Sequence, residues 1–261
     1  MHIKLIATDL DGTLLRDDKS VSARTIAALA ACRKMGIKTV YATARGHSAK
    51  MLLPPDLFDG FVRMGGAAAF AAEVELYSRR ISTSALRQFM LAVDGAGIRM
   101  AAELDAWQYA NFDTTQVWPW LTYSSIADFH TLDIQVEKLY ALPMTQTEID
   151  LLERLLPQGL RMVVDREMFT SISHIEATKA RALAALAAYW GIGRSDIVAF
   201  GDDLNDMDML AYAGVGIAMG NAVADVKATA DIVCASNEDD GVAKWLEQNV
   251  LAQTAPKESG L

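Results

Sequence analysis

At both ends of the chain, short apolar runs are separated by amphipathic stretches, a pattern that predicts alternating strands and helices. Residues 3–7 have the length and branched side chains of a buried strand. Ser22 is placed to cap a helix that Gly36 would end, and residues 37–42 form the next apolar run. A helix joining two strands at this spacing predicts a right-handed βαβ unit, whose parallel strands end at the same edge of a sheet.

The same alternation returns in the last third of the chain, after a middle stretch without it. A further helix is predicted after Gly46, before a short strand at 61–64. Beyond His174 the pattern predicts helices and strands in turn: a helix over 178–190, strands at 197–200, 215–219 and 231–234 with a helix in each interval, and a last helix over 242–250. Together these elements predict an α/β, doubly wound (Rossmann-like) parallel-sheet core over residues 1–82 and 173–261.

Residues 83–172 carry strand-like and helical runs that do not alternate regularly. Helices are predicted over 84–93 and from a capping box at 145–148, among strands at 98–101, 107–112, 138–142, 160–164 and 168–172. This pattern is typical of an inserted α+β domain with its own small sheet.

Composition narrows the class of protein. The chain has 261 residues, 52% of them hydrophobic, and a net charge of −9. This charge argues against nucleic acid or an anionic membrane surface as the main partner. Its two cysteines lie far apart in sequence and fit reduced thiols, and we find no signal-peptide pattern and no apolar run long enough to span a bilayer. We therefore expect a cytoplasmic protein, with no prediction of oligomeric state.

Candidate chemistry begins where the first strand ends. Asp9 and Asp11 are two residues apart, so they would point to one spot at the ligand-binding edge of the sheet. Two adjacent carboxylates stay ionised only beside a cation, or they share a proton, and Mg²⁺ is the hard ion that fits oxygen ligands. The alternative is an ordinary Asp-Gly turn.

Later strand ends and turns bring further polar groups toward the same edge: Thr43, Lys179, Asp202, Asn205 and Asp206. Each has a simpler explanation when taken singly. Thr43 could cap a helix, Lys179 could be a solvated surface charge, and the acidic residues could form a capped turn in which Asp203 is only a turn residue. Asp206 could support metal ligands from behind or act as a helix N-cap.

This set, in this order, resembles the haloacid dehalogenase-like (HAD) phosphatase superfamily. Residues 9–13 (Asp-Leu-Asp-Gly-Thr) match its first motif, Thr43 its second, Lys179 its third and residues 201–206 its fourth. The insert lies between the second and third motifs, where the Cof-type subgroup carries its α/β cap, so residues 83–172 are expected to form the cap that governs substrate specificity. The loop before Lys179 lacks the Pro and Gly that are common in the subgroup.

The resemblance implies a role for each residue. Asp9 would attack phosphorus and form an aspartyl-phosphate, and Asp11 would protonate the leaving alcohol and then help to activate water. Mg²⁺ would be held by Asp9, by the backbone carbonyl of Asp11 and by Asp202, and Asp206 would support these ligands without binding the ion itself. Phosphate would be bound by a set that also includes the catalytic lysine: Leu10, Thr43, Ala44, Lys179 and Asn205, the last of which would also orient the acidic loop.

The implied partner is a small phosphorylated metabolite, such as a sugar phosphate. Arg45 and His47 are candidate substrate contacts, and His174 is either a contact or a structural residue. The aromatic residues of the insert could stack on a ligand or pack in its core: Trp107, Tyr109, Phe112, Trp118, Trp120 and Tyr123. Three other functions use similar residues: a mutase, a receiver-like phospho-acceptor, and a non-catalytic phosphate-ester binding protein.

Overall fold

The computed structural model describes residues 2–54, 56–119, 121–165 and 167–254. Trp120, the tail from residue 255 and the side chain of His47 lie outside this description. The chain divides into two compact units, a core unit of residues 1–77 and 178–261 and an inserted unit of residues 78–177. The inserted unit thus reaches further on each side than the segment 83–172 delimited from the sequence.

Strands and helices occur in the order that follows along the chain. The strands are β1 (Leu5–Thr8), β2 (Lys38–Ala42), β3 (Gly60–Arg63), β4 (Ala68–Ala71), β5 (Val74–Ser78), β6 (Ile81–Ser82), β7 (Arg99–Leu104), β8 (Trp107–Ala110), β9 (Ser124–Ile126), β10 (Gln135–Val136), β11 (Lys138–Leu142), β12 (Leu160–Val164), β13 (Thr170–His174), β14 (Ile197–Gly201), β15 (Val215–Ala218) and β16 (Ile232–Val233). The α-helices are α1 (Ala23–Lys34), α2 (Arg87–Gly95), α3 (Gln146–Leu155), α4 (Lys179–Tyr189), α5 (Met207–Tyr212), α6 (Ala224–Thr229) and α7 (Gly241–Asn249).

The core unit is built on one sheet with the strand order β16-β15-β14-β1-β2-β3-β4-β5. Strands β16 through β3 pair in parallel, and β4 runs antiparallel to β3. Thr8, the last residue of β1, pairs with Phe200 on one side and Tyr41 on the other. The carboxyl ends of three neighbouring strands are therefore level, and the doubly wound core predicted from the sequence is confirmed.

Helix α1 shows why this part of the chain folds as predicted. The Ser22 hydroxyl accepts a hydrogen bond from the Thr25 N–H, which caps the helix, and Gly36 follows its end with a φ of 84°. Leu29 on its buried face packs into the core beneath the sheet. Burying a leucine side chain of this kind contributes about 2 kcal/mol to stability.

The inserted unit has a sheet of its own, in the order β12-β13-β11-β7-β8-β9. Met90 of α2 and Leu152 of α3 pack with Met100 and Leu139 of the sheet to form a separate core. A unit with this arrangement is α+β, as the irregular pattern of its sequence predicted.

The aromatic side chains of the insert divide between packing and exposure. Trp118 lies edge-on to Tyr140 and Phe169, with ring centroids 6.4 and 6.2 Å away. Trp107 and Tyr123 instead keep 40% and 56% of their surface exposed. Packing within the insert thus accounts for Trp118 but not for the exposed pair.

Two predicted elements are corrected. The helix expected after Gly46 is only a 3₁₀ helix (His47–Leu52), without a side-chain cap at its start. The strand expected at 168–172 begins two positions later, because Met168 has a left-handed φ of 63° in a turn that Asp165 closes by accepting the Phe169 N–H. Strands β4, β5, β6, β9 and β10 were not predicted. None of the helices that the structure describes has the length and apolar character needed to cross a membrane.

Candidate active site

Asp9 directly follows β1 and is buried at the level carboxyl ends of the strands. Its N–H donates to the carbonyl of Phe200 at 3.0 Å, which extends the pairing of β1 with β14 by one residue. The turn that follows interlocks with the acidic loop after β14, because the Thr13 hydroxyl donates to Asp202 Oδ1 at 2.8 Å. A Cβ at Gly12 would lie 2.2 Å from Asp202 Oδ2, so only glycine fits this approach.

Lys179 is the first residue of α4, whose N-cap is Thr178. Its ammonium group donates to Asp9 Oδ1 at 2.6 Å and to Asp206 Oδ1 at 2.5 Å, and the side chain is only 1% exposed. The solvated-lysine alternative is therefore wrong. A Cβ at Gly66 would lie 2.2 Å from the backbone of Thr178, so the backbones of these two residues are in close contact. This contact positions the end of the loop before Lys179, the loop that lacks the Pro and Gly common in the subgroup.

Asp206 shapes the acidic loop. Its Oδ2 accepts the N–H groups of Asp202 and Asp203 at 3.0 and 3.1 Å, while Oδ1 accepts Lys179. It stands at the N-cap position of α5 but makes no side-chain capping bond, so the N-cap alternative is wrong. Asp203 is more than a turn residue, since it caps the 3₁₀ turn through the Leu204 N–H. Asn205 is exposed, and the hydrogen bonds that orient the loop come from Asp206.

Thr43 is buried beyond β2, and its hydroxyl oxygen accepts the Arg45 N–H at 3.1 Å. It therefore closes a turn and does not cap a helix. Within the described chain, neither the Leu10 N–H nor the Ala44 N–H donates a hydrogen bond. These two donors, with the buried Thr43 hydroxyl, are suited to binding an anion.

Asp11 does not join the buried carboxylates through its side chain. Arg45 holds both of its oxygens, with Nε at 2.5 Å from Oδ2 and Nη2 at 2.7 Å from Oδ1, and Lys19 Nζ lies 2.9 Å from Oδ1. The Arg45 hydrogen bond keeps the pKa of Asp11 below its ordinary value, against the opposing effect of burial. The expected carbonyl ligand is compatible with this arrangement, because the side chain and the backbone of Asp11 are separate.

The carboxylates of Asp9, Asp202 and Asp206 offer oxygens that all lie within 4.8 Å of one another. Burial raises the pKa of Asp9 to about 7 although Lys179 opposes it, and burial raises that of Asp202 to about 6. Burial alone would lower the pKa of Lys179, but Asp9 and Asp206 outweigh it and raise the pKa. One ammonium group thus faces three carboxylates. When all three are ionised, the cluster has a net negative charge that a bound cation would balance.

This donor set fits Mg²⁺. Hard oxygen ligands suit the ion, and Asp9 and Asp202 each keep one carboxylate oxygen outside the hydrogen bonds described above. Both oxygens of Asp206 are already used by Lys179 and the loop backbone. Asp206 is therefore suited to stand behind the ligands and hold them in place.

Asn221 and Asn237 are site residues that the sequence did not reveal. The Asn221 amide donates to the carbonyl of Gly12 at 2.7 Å, and its oxygen accepts the Asn237 N–H at 3.0 Å. The Asn237 amide in turn donates to the carbonyl of Leu15. These bonds brace the turn after Asp9 from both ends. The only signal in the sequence was an asparagine after a strand, which is also typical of ordinary turns.

Comparisons with known proteins agree with this geometry. Residues 6–246 match the model of the haloacid dehalogenase-like hydrolase family. A 5-amino-6-(5-phospho-D-ribitylamino)uracil phosphatase of Bacillus subtilis is 26% identical over 94% of this chain and 96% of its own length. The pyridoxal phosphate phosphatase of Escherichia coli is 24% identical over 96% of this chain and 100% of its own.

A solved structure extends the comparison to the fold. A haloalkanoate-superfamily phosphatase from Bacteroides thetaiotaomicron superposes with a TM-score of 0.80 at 27% identity, over 94% of each chain. The resemblance noted from the motifs is confirmed, since both the family model and the structural match extend over nearly the whole chain. The chain belongs to the haloacid dehalogenase-like hydrolase family, among its Cof-type phosphatases.

Proposed function

We propose that this phosphatase hydrolyses a small phosphate monoester in a Mg²⁺-dependent reaction, through an aspartyl-phosphate on Asp9. The observation that carries the proposal is the buried contact of Lys179 with Asp9 beside two further carboxylates at the strand ends. Asp9, the backbone carbonyl of Asp11 and Asp202 would hold the ion. When bound, Mg²⁺ supplies the positive charge that lets a carboxylate approach a phosphate.

The first step forms a bond between a carboxylate oxygen of Asp9 and phosphorus and breaks the bond from phosphorus to the ester oxygen. Lys179 holds the carboxylate of Asp9 in place through Oδ1, and one oxygen of that carboxylate attacks phosphorus. The N–H groups of Leu10 and Ala44 and the Thr43 hydroxyl would hold the oxygens of the transferring group. Asp11 gives its proton to the leaving alcohol.

The second step returns the enzyme to its starting state. Asp11 takes a proton from water as the water oxygen attacks phosphorus, and the bond from phosphorus to Asp9 breaks. Inorganic phosphate leaves and both carboxyl groups regain their initial protonation. Because the acid lies only two residues beyond the nucleophile, this arrangement favours turnover over a persistent phosphorylated state.

The substrate is proposed to be a small phosphorylated metabolite. Two relatives are named for phosphate esters of a ribityl-substituted uracil and of pyridoxal, which are both small molecules. A screen of sugar phosphates, nucleotide precursors and pyridoxal phosphate, scored by released inorganic phosphate with and without Mg²⁺, tests the proposal directly. Release that is equal in the presence of a chelator would refute the metal requirement.

The nucleophile is tested by Asp9→Asn. We expect hydrolysis of p-nitrophenyl phosphate to fall by at least about 10³-fold while the circular dichroism spectrum is unchanged, because an amide oxygen cannot form the acyl phosphate. Asp225→Asn, which changes an exposed aspartate of α6, is the matched control and should retain full activity. Activity of Asp9→Asn within tenfold of the wild type would exclude Asp9 as the nucleophile.

A further inference from the structure

The side chain of Asp11 is held in a position where it cannot do acid–base work. Two atoms of the Arg45 guanidinium occupy its two oxygens in a fork-like pair, and Lys19 adds a third contact. With both oxygens turned to cations, the carboxyl group is hindered in its approach to the oxygen of a leaving alcohol. The reaction proposed above therefore requires this pair to open.

The position of Arg45 indicates what could open it. Arg45 follows Thr43 and Ala44 directly, and its charge interacts with Asp9 as well as with Asp11. A phosphoryl group that reaches Asp9 thus arrives beside the same guanidinium. The two side chains of the pair are also partly in solvent, with exposures of 30% for Arg45 and 38% for Asp11, so the pair can exchange partners at little cost.

We propose that Asp11 and the substrate phosphate compete for the guanidinium of Arg45, so that phosphate binding frees the carboxyl group of Asp11. The inference rests on the proposed function. A phosphate dianion carries more charge than a carboxylate and offers the same two-oxygen geometry to the guanidinium, so it wins the exchange. The exchange forms and breaks no covalent bond. Arg45 is in this sense a positioning residue, since it decides when Asp11 is available.

Competition predicts a specific coupling between the two residues, measured by calorimetric titration of inorganic phosphate in saturating Mg²⁺. In Asp11→Ala the guanidinium loses its bonds to this carboxylate, so phosphate should bind about two- to fivefold more tightly than to the wild type. The metal ligand at this position is a backbone carbonyl, which the substitution retains. Arg45→Ala should weaken binding, and the double variant should bind phosphate like Arg45→Ala alone.

The double variant separates competition from general electrostatics. If Asp11→Ala acted only by removing a negative charge, it would tighten phosphate binding by the same factor with or without Arg45, and that result would overturn the proposal. No tightening in Asp11→Ala would overturn it as well. Arg45→Lys keeps the charge but lacks the fork, so Asp11→Ala should have a smaller effect in that background.

Hydrolysis of p-nitrophenyl phosphate by the wild type distinguishes the two levels of failure. If the wild type hydrolyses this ester and binds phosphate, but the variants show no coupling, only the exchange of partners is wrong. If the wild type does neither in the presence of Mg²⁺, the proposed function and the exchange are both refuted.

Discussion

Replacing Lys179 by methionine would test the buried ion pairs that Lys179 forms with Asp9 and Asp206 in the core unit. Methionine is unbranched and of similar length, so the substitution removes the charge and keeps most of the packing. The lysine ammonium lies 2.6 Å from Asp9 and 2.5 Å from Asp206, with almost no exposure to solvent. Without it, buried carboxylates face one another with no cation.

The magnitude follows from this burial. Removing one partner of a buried ion pair costs about 3–5 kcal/mol, because an uncompensated charge is left behind. Two carboxylates lose their partner here, so we expect the free energy of unfolding to fall by at least about 3 kcal/mol at pH 9 in a chelator. The loss should shrink as the pH falls, because removing Lys179 raises the pKa of Asp9 above its value of about 7, and the folded variant takes up a proton earlier than the wild type.

The assay is urea unfolding followed by circular dichroism, at pH 9 and pH 6 and with excess chelator. Lys34→Met is the matched control, because Lys34 is an exposed lysine at the end of α1, and it should change stability by less than about 0.5 kcal/mol. A loss below about 1 kcal/mol for Lys179→Met at pH 9, or a loss that grows toward pH 6, would refute the charge balance described for the site.

Three further predictions follow from the geometry. The metal-free protein should lose stability as the pH rises through about 7, since burial raises the pKa of Asp9, and Mg²⁺ should raise the melting temperature more at pH 8 than at pH 5.5. Gly66→Ala should cost more than about 3 kcal/mol in urea unfolding, because its Cβ would meet the backbone of Thr178, whereas Gly36→Ala, with open space around it, should cost about 1 kcal/mol. Glu103→Gln should stabilise the protein at pH 8 but not at pH 4, since burial raises the pKa of Glu103 and its contribution is lost as the pH rises through that pKa.

Each of these has a result that would count against it. An equal Mg²⁺ effect at both pH values would mean that no carboxylate of the site titrates in that interval. Equal costs for the two glycine substitutions would show that only backbone conformation matters at Gly66. A stability difference for Glu103→Gln that does not change with pH would exclude titration of Glu103 as its cause.

The sequence predicts the meeting of distant residues because strand direction and register decide it. Asp9 and Asp202 follow strands that pair directly, so their approach depends only on a parallel sheet with level ends. The position of Lys179 could not be predicted from strand pairing, since it depends on close contact between Gly66 and Thr178, the residue before Lys179. The resemblance to a family supplied that position, and no pattern in the sequence did.

The sequence could not predict which side chain of a loop forms which hydrogen bonds. The Asp206 side chain makes three hydrogen bonds, whereas among the described residues the Asn205 side chain makes none to the loop, although both lie in the same acidic run. Only the backbone path of the loop decides which of them turns inward. The pairing of Asp11 with Arg45 and Lys19 is likewise set by side-chain conformation, which strand register does not determine.

In the proposed reaction, the charge balance of the site would link metal and substrate more closely than either contact alone. Three carboxylates with one ammonium already carry an excess of negative charge, in a protein whose net charge is −9. A phosphate dianion adds to that excess, so its binding is opposed unless a cation has first reversed the local field. Thermodynamic linkage then requires that phosphate tighten the binding of the metal by the same factor by which the metal tightens that of phosphate. On the proposed function, an acidic protein would thus bind an anionic substrate because the protein and its cation bind it together.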